Sequence, residues 1–337
     1  MQHAPASAFL TAALLLASTS QTPAQSSEPF KGRTINIVVG YSVGGGYDQY
    51  ARTLARHLGK HIPGAPTIVV QNLPGAASLL AVRHLESNPA KDGTVMAMFD
   101  PGLITANITP EGVPKLDLTE FHWIGTMLRD IRVCYAWAAT GVRTWQDLMA
   151  RKEFLIGATA RGANAYVNGA ILRKVMNAPV RQIAGYPGSN EQRMAVERGE
   201  LEGNCASWSA LPPEWISGDK INTLLRFSEK RPPEMSQSVP YVADLTSDPE
   251  TKELLTLLNA PGELGRPFIV SKQTPAHNVN QLRRAFEAAL VDRDFLAEMA
   301  KQSLPLDPLR GDEADAIVRR IYDAPRALLQ KAVTVLE

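Results

Sequence analysis

Cysteine is nearly absent from the 337 residues: Cys134 and Cys205 are the only two. With no close histidine pair beside them there is no zinc signature, and only one pairing is open to them. An oxidising compartment permits that disulfide, and two isolated buried thiols are an equal alternative. Histidine is sparse too, with His3, His57, His61, His84, His122 and His277 scattered without metal-ligand spacing. There is no Gly-x-Ser-x-Gly elbow and no metalloprotease helix motif, so no acid, base or nucleophile stands in a recognisable arrangement. Glu200 and Glu202 lie two apart, where strand alternation points them the same way, but an exposed carboxylate pair is ordinarily just solvated. Catalytic residues, metals and cofactors are therefore not expected.

An excess of either charge is missing as well. Lys and Arg number 35 against 34 Asp and Glu, a formal charge of +1, which excludes broad electrostatic attraction to nucleic acid or to an anionic membrane. Any preference for anions must be local. Beyond the N-terminus no run is long and apolar enough for a transmembrane helix.

What is present is a 45% hydrophobic chain that buries a sizeable core and whose length fits two globular lobes better than one. Its start differs from the rest: residues 9–17 (FLTAALLLA) are an apolar run too short to span a bilayer, and residues 18–27 are polar. That is the shape of a secretory signal peptide, with small residues at Thr22-Pro23-Ala24 offering a cut after Ala24, although no Lys or Arg follows Met1. Residues 1–24 are expected to be a cleaved leader and the mature protein to be periplasmic.

From Arg33 onward a β-branched run, a glycine turn and an amphipathic helix recur, which is the grammar of a parallel α/β sheet. Strands are expected at 34–39 (TINIVV), 67–71 (TIVVQ) and 94–99 (TVMAMF), the last broken at Asp100-Pro101-Gly102, so that three strand ends converge on one edge. Between the first two lies a helix whose Tyr47, Tyr50, Ala51, Leu54, Ala55 and Leu58 recur on one face. A second helix is expected over 76–85. Past a proline-rich stretch at 110–114, residues 131–138 (IRVCYAWA) are long enough to cross to another lobe. There, strands at 154–157, 181–184, 201–205 and 223–227 alternate with a helix ending near Met176 and one over 190–198. After Pro232, Pro233 and Pro240 the chain is mostly helical, with one clear strand at 268–271, a helix opened by Pro275, one over 294–301 and one capped by Asp312. This tail is assigned back to the first lobe, so that two crossing segments make a hinge.

The strongest local feature is Gly40-Tyr41-Ser42-Val43-Gly44-Gly45-Gly46-Tyr47-Asp48, set between a strand and a helix. Three adjacent glycines carry no Cβ, so a ligand can approach backbone N–H groups at the positive end of the helix. This reads as an anion cradle, against the plainer alternative of a merely tight turn. No Lys-Ser or Lys-Thr pair follows the glycines, and the dinucleotide fingerprint is not met. Asp48 is read as pairing with the helix dipole and not with ligand. Asn72-Leu73-Pro74-Gly75-Ala76 is a second such turn, whose amide either donates to a ligand or closes an Asx turn. Further on, Thr159-Ala160-Arg161-Gly162-Ala163-Asn164 offers backbone donors, an amide and a guanidinium able to grip a carboxylate with two parallel hydrogen bonds, unless Arg161 is only a solvated charge. Tyr186-Pro187-Gly188-Ser189 is the matching turn of the next unit, and Trp208 offers an aromatic wall, though most tryptophans are core.

The order strand, Gly-Gly-Gly-x-Asp turn, helix, strand, Asn-x-Pro-Gly-Ala turn and then Asp92-Gly93-Thr94 before a third strand resembles the Bug-type periplasmic substrate-binding proteins of tripartite tricarboxylate transporters. The similarity runs from about Phe30 to the C-terminal helices. It implies an α/β, two-lobed periplasmic binding protein of type II-like form, each lobe a mixed, mainly parallel sheet flanked by helices. The lobes are expected at 28–130 with 240–337, and at 131–239. It further implies a di- or tricarboxylate or aromatic acid as ligand, delivery to the large and small membrane subunits of a permease, and action as a monomer without nucleic acid. One carboxylate is expected at the turn 42–47 with help from 72–76, the other end at 159–164 and 186–189. The sequence departs from the usual pattern at Ser42 and Val43, where prolines are common, at Arg161 and Asn164, where small or hydroxyl residues are usual, and near Ala206, where an aspartate is missing. Arg161 is expected to favour a second anionic group. A periplasmic ligand sensor and, behind it, an exported hydrolase or transferase are the alternative readings.

Overall fold

The same strand, turn and helix grammar, used twice, builds two separate sheets. The computed structural model describes Met1 and residues 28–106, 108 and 116–337; the rest of the expected leader and the proline-rich 110–114 lie outside the described residues. Along the chain the strands are β1 (Thr34–Val39), β2 (Thr67–Asn72), β3 (Val95–Met98), β4 (Phe121–Leu128), β5 (Arg132–Trp137), β6 (Phe154–Gly157), β7 (Val180–Ile183), β8 (Gly203–Ser207), β9 (Ile221–Arg226), β10 (Gly265–Ser271) and β11 (Leu309–Arg310). The first sheet has the order β11-β4-β10-β3-β1-β2 and the second β7-β6-β8-β5-β9.

Both sheets are mixed, as expected. In the first, β1 runs parallel to β2 and β3, whereas β10 and β11 join antiparallel. In the second, β6 is parallel to β7 and β8, while β5 is antiparallel to β8 and β9. Parallel pairs therefore do not dominate, and the expectation of mainly parallel sheets is corrected. The cause is topological: the strands by which the chain enters the second sheet, β5, and re-enters the first, β10, both pair antiparallel.

No turn signal announces β4, a run buried along almost its whole length, so no alternation marks it. Helix Gly46–Leu58 buries Tyr50, Ala51, Leu54 and Leu58 against the first sheet, the face its spacing predicts. The helix expected at 76–85 starts later. Ala76, Ala77 and Ser78 have φ of 46°, 56° and 71°, a left-handed turn that costs roughly 1–2 kcal/mol per residue, and regular helix runs Leu79–Ser87. Asp312 does not cap its helix: it lies in the first turn of Gly311–Tyr322, and the Arg310 N–H instead donates to Glu313 Oε2 at 2.7 Å. The last helix, Arg326–Leu336, packs across onto helix Asn164–Ala170 beside the second sheet, and Lys174 Nζ donates to Thr334 O at 3.0 Å. Cys134 and Cys205 stand opposite each other in β5 and β8 and are disulfide-bonded, which decides between the two alternatives left open by the sequence. Among the described residues no helix is long and apolar enough to cross a membrane.

Candidate functional site

The turns after β1, β3 and β6, the start of helix Ser189–Glu197 and the end of β8 face one another across the cleft between the lobes. They enclose a cavity of about 50 Å³, room for roughly four water molecules.

The glycine turn forms where expected, but its donors are already engaged. Gly44 N donates to Asp48 Oδ2 at 2.9 Å, and Gly46 N reaches Ser189 Oγ of the opposite lobe at 3.4 Å. Asp48 is almost fully buried and also accepts from Arg52 Nε and Asn72 Nδ2, each at 2.9 Å. Burial pushes its pKa up, yet these hydrogen bonds outweigh burial and hold it below the usual carboxylate range. Asp48 and Asn72, whose Nδ2 also donates to Tyr41 O at 2.9 Å, thus clamp the turn from inside. Asp48→Ala is expected to cost roughly 1–3 kcal/mol at neutral pH by leaving these donors unpaired. Because the folded-state pKa is depressed, that contribution is present above the unfolded pKa and lost as pH falls through the folded one. Denaturant melts from neutral pH down to about pH 3 should therefore show wild type losing more stability than the variant.

The charged centre of the cavity comes from a residue that no turn motif marks. Arg266, at the start of β10, is 1% exposed, and its φ of +57° lies in the left-handed region. Its guanidinium lies 4.4 Å from the Tyr47 ring centroid and 5.2 Å from that of Tyr50, a cation–π arrangement. Nη2 donates to Ser207 Oγ and Ser209 Oγ of the second lobe, both at 3.1 Å. Nη1 is 3.7 Å from Asp130 Oδ2, beyond hydrogen-bond reach, and neither Nη1 nor Nε has a hydrogen-bond partner. Burial alone would lower the pKa of Arg266, but Asp130, with Tyr47, Tyr50 and Asp100, outweighs it and holds the group above the ordinary arginine value. A permanently charged, buried guanidinium with two nitrogens that lack hydrogen-bond acceptors is costly unless something supplies them.

Around it the charges interlock. Asp130 accepts from Ser207 Oγ and lies 3.5 Å from Arg132 Nη1, while Arg132 Nε donates to Asn168 Oδ1 at 2.7 Å. On another wall Asp100 Oδ2 accepts from Tyr41 OH at 2.7 Å, and Oδ1 accepts from Gly102 N at 2.8 Å and, across the cleft, from Asn164 N at 3.1 Å. Burial pushes Tyr41 and Tyr47 well above the ordinary tyrosine value and Tyr50 up to about 12, so all three are neutral hydroxyls at physiological pH.

Of the residues singled out in the sequence, Tyr41, Gly45, Gly46, Tyr47, Asp100, Thr159 and Ser189 line this cavity. Glycine at 46 fits a close approach, since a Cβ there would sit 3.0 Å from Arg266 Nη2 and 3.1 Å from Ala210 Cβ, a crowding that Arg266 would have to relieve. Ser42, Val43, Gly44, Asn72, Gly75, Ala76, Gly162, Ala163, Asn164, Tyr186 and Gly188 are not part of the lining. Several of them touch one another across the cleft instead. Ser42 N donates to Pro187 O at 3.3 Å and Ser42 Oγ to Glu191 Oε2 at 2.8 Å, next to Gly188. Val43 is 61% exposed, and Arg161 is exposed and outside the lining, where Arg266 and Arg132 are the cations. Trp208 borders a different cavity of about 730 Å³ and donates from Nε1 to Glu234 Oε1 at 2.8 Å. The sequence reading missed Arg266, Arg132, Asp130, Gln192 and Ser207; the one available signal was an arginine inside Gly-Arg-Pro-Phe-Ile-Val-Ser, a strand otherwise without charge.

The lobes also touch directly. At Gly102 a Cβ would lie 2.5 Å from both Asn164 N and Gly162 O, main-chain atoms of the opposite lobe that cannot move aside separately. Gly102→Ala is expected to prop the cleft open and weaken ligand binding at least about tenfold, while leaving each lobe folded. Small-angle scattering should show a larger radius of gyration than wild type; an unchanged radius with unchanged affinity would count against this contact as the limit of closure.

Comparison with known proteins bears on the fold. No family model matches the chain. The UPF0065 protein in gbd 5'region of Cupriavidus necator is 36% identical over 97 residues, which is 28% of this chain and only 29% of that protein's length. Solved structures align over far more. The periplasmic binding protein BugD superposes with a TM-score of 0.72 at 20% identity, covering 89% of this chain and 97% of BugD. MatC from Rhodopseudomonas palustris with bound malate gives 0.67 at 16% identity, covering 90% and 99%. The resemblance to Bug-type proteins read from the turns is met again in these neighbours, and the chain has their two-lobed fold.

Proposed function

We propose, starting from a fold shared with periplasmic binding proteins, that this chain is an exported receptor that closes its two lobes around a small organic carboxylate. The observation that carries the reading is Arg266, buried between the lobes with Nε and Nη1 unpartnered. Either nitrogen can donate a charge-assisted hydrogen bond to a carboxylate oxygen, roughly twice as strong as a neutral one. Polar contacts across the cleft include Asp100 to Asn164, Ser42 to Pro187 and Glu191, Gly46 to Ser189, Arg193 to Gly44 and Arg266 to Ser207 and Ser209, individually weak hydrogen bonds that suit reversible closure about a hinge. The carboxylates near the fork are held by hydroxyls, backbone N–H groups and other charges, an arrangement that favours holding a solute unchanged over reacting with it. The likeness to MatC, which holds malate, also supports an acid as ligand. On this reading the leader directs the protein to the periplasm, where as a monomer it passes its ligand to the large and small membrane subunits of a tripartite tricarboxylate-type permease.

The test is a thermal-shift screen of the purified, ligand-stripped mature protein against mono-, di- and tricarboxylates and aromatic acids. A ligand bound only by the native state raises its apparent stability. Selective stabilisation by acids, with the solute recovered unchanged, supports the receptor; turnover of the solute, or no response to any acid, contradicts it.

A further inference from the structure

We propose that the ligand is a short acid carrying one carboxylate and an adjacent hydrogen-bond donor, a 2-hydroxy or 2-amino monocarboxylate, and that Asp100 rejects acids bearing a second carboxylate. This rests on the receptor reading above and narrows it.

The charges at the cavity set the first limit. Two guanidiniums, Arg132 and Arg266, and two carboxylates, Asp100 and Asp130, balance before any ligand enters. Asp130 lies between the two arginines and offsets one of them. Arg132 is engaged by Asn168 as well, which leaves Arg266, whose Nε and Nη1 each lack a hydrogen-bond acceptor, to donate from one of them to a single carboxylate. A second would enter a buried space whose remaining charged group is Asp100, and burying like charges without a counter-charge is strongly unfavourable.

Asp100 also sets the second limit. It is 4% exposed, lines the cavity and holds three donors, one of them the neutral Tyr41 hydroxyl. An ionised carboxylate only accepts hydrogen bonds, so it welcomes a ligand hydroxyl or ammonium and repels a carboxylate. The third limit is size. The cavity has room for roughly four waters, and Ala165, Ala206 and Ala210 are its small apolar wall, which suits a side chain of one or two carbons.

Calorimetric titration of the ligand-stripped protein with lactate, alanine, propionate, malate and citrate, at one ionic strength, tests this. Lactate, alanine or both should bind at least about tenfold tighter than propionate, malate and citrate; lactate ahead of alanine assigns the donor as hydroxyl, the reverse as ammonium. Malate or citrate binding as tightly as the better of lactate and alanine overturns the inference but leaves the receptor intact. Propionate binding equally well overturns the role of the donor. Silence from all five acids overturns the inference, and the receptor reading falls with it only if the wider screen of di- and tricarboxylates and aromatic acids is silent too. In Asp100→Asn the preference for the monoanion over malate should shrink at least about tenfold, and an unchanged ratio would remove Asp100 from the account. The wild-type ratios need no variant, so they decide the matter even if Asp100→Asn does not fold.

Discussion

Arg266→Gln is expected to weaken acid binding by a factor of roughly 10 to 10², because a charge-assisted hydrogen bond of about 1.5–3 kcal/mol is lost. The fold should also suffer, since removing one partner of a buried charge cluster costs about 3–5 kcal/mol when the other is left alone. Here the cost should fall below that range, because Asp130 keeps Ser207 and Arg132 as partners. Arg266→Lys separates the two effects. It retains the positive charge over Tyr47 and Tyr50 but not the planar fork, so it should fold nearly as well as wild type and still bind acids at least about tenfold more weakly. Calorimetric titration paired with a thermal melt of the free protein reads both quantities. Full affinity in Arg266→Lys would show that the positive charge alone, and not the guanidinium's donors, holds the acid.

Removing the disulfide should have the next largest effect. Cys134 and Cys205 are 71 residues apart in sequence and join β5 to β8 at the middle of the second sheet. Closing a loop of that length in the unfolded chain accounts for about 4 kcal/mol in the chain-entropy picture. The double variant Cys134→Ala, Cys205→Ala, or wild type kept in reductant, should therefore melt several degrees lower. Cys205 also lines the cavity, so affinity should drop modestly even where the protein remains folded. Equal melting temperatures in oxidised and reduced protein would mean that the bond carries no stability. A disulfide in the second lobe also fits an oxidising compartment, in line with the expected leader.

Legibility in the sequence differs from element to element. β1 and β6 are found at their expected bounds, and the face of helix Gly46–Leu58 is the expected one. These are local patterns, set by alternation or by three- and four-residue spacing. β4 escaped because a strand covered on both faces shows no alternation. The site was only half legible for a related reason. Strand-to-helix turns announce themselves through glycine, so the walls at Tyr41, Gly45, Gly46, Tyr47, Asp100, Thr159 and Ser189 could be named. Arg266 could not, since what makes it a site is contact with Tyr47, Asp130, Ser207 and Ser209, brought from three distant parts of the chain. Arg161 drew attention by standing in a turn, but that turn aims the Asn164 N–H at Asp100, while Arg161 is exposed.

The account turns on where an acid sits, and the structure of the protein with the tightest-binding acid of the series tests that most directly. The prediction is a carboxylate between the lobes with an oxygen within about 3 Å of Nε or Nη1 of Arg266. An acid found in the larger cavity beside Trp208, or held in the cleft while those two nitrogens stay unpartnered, would contradict it.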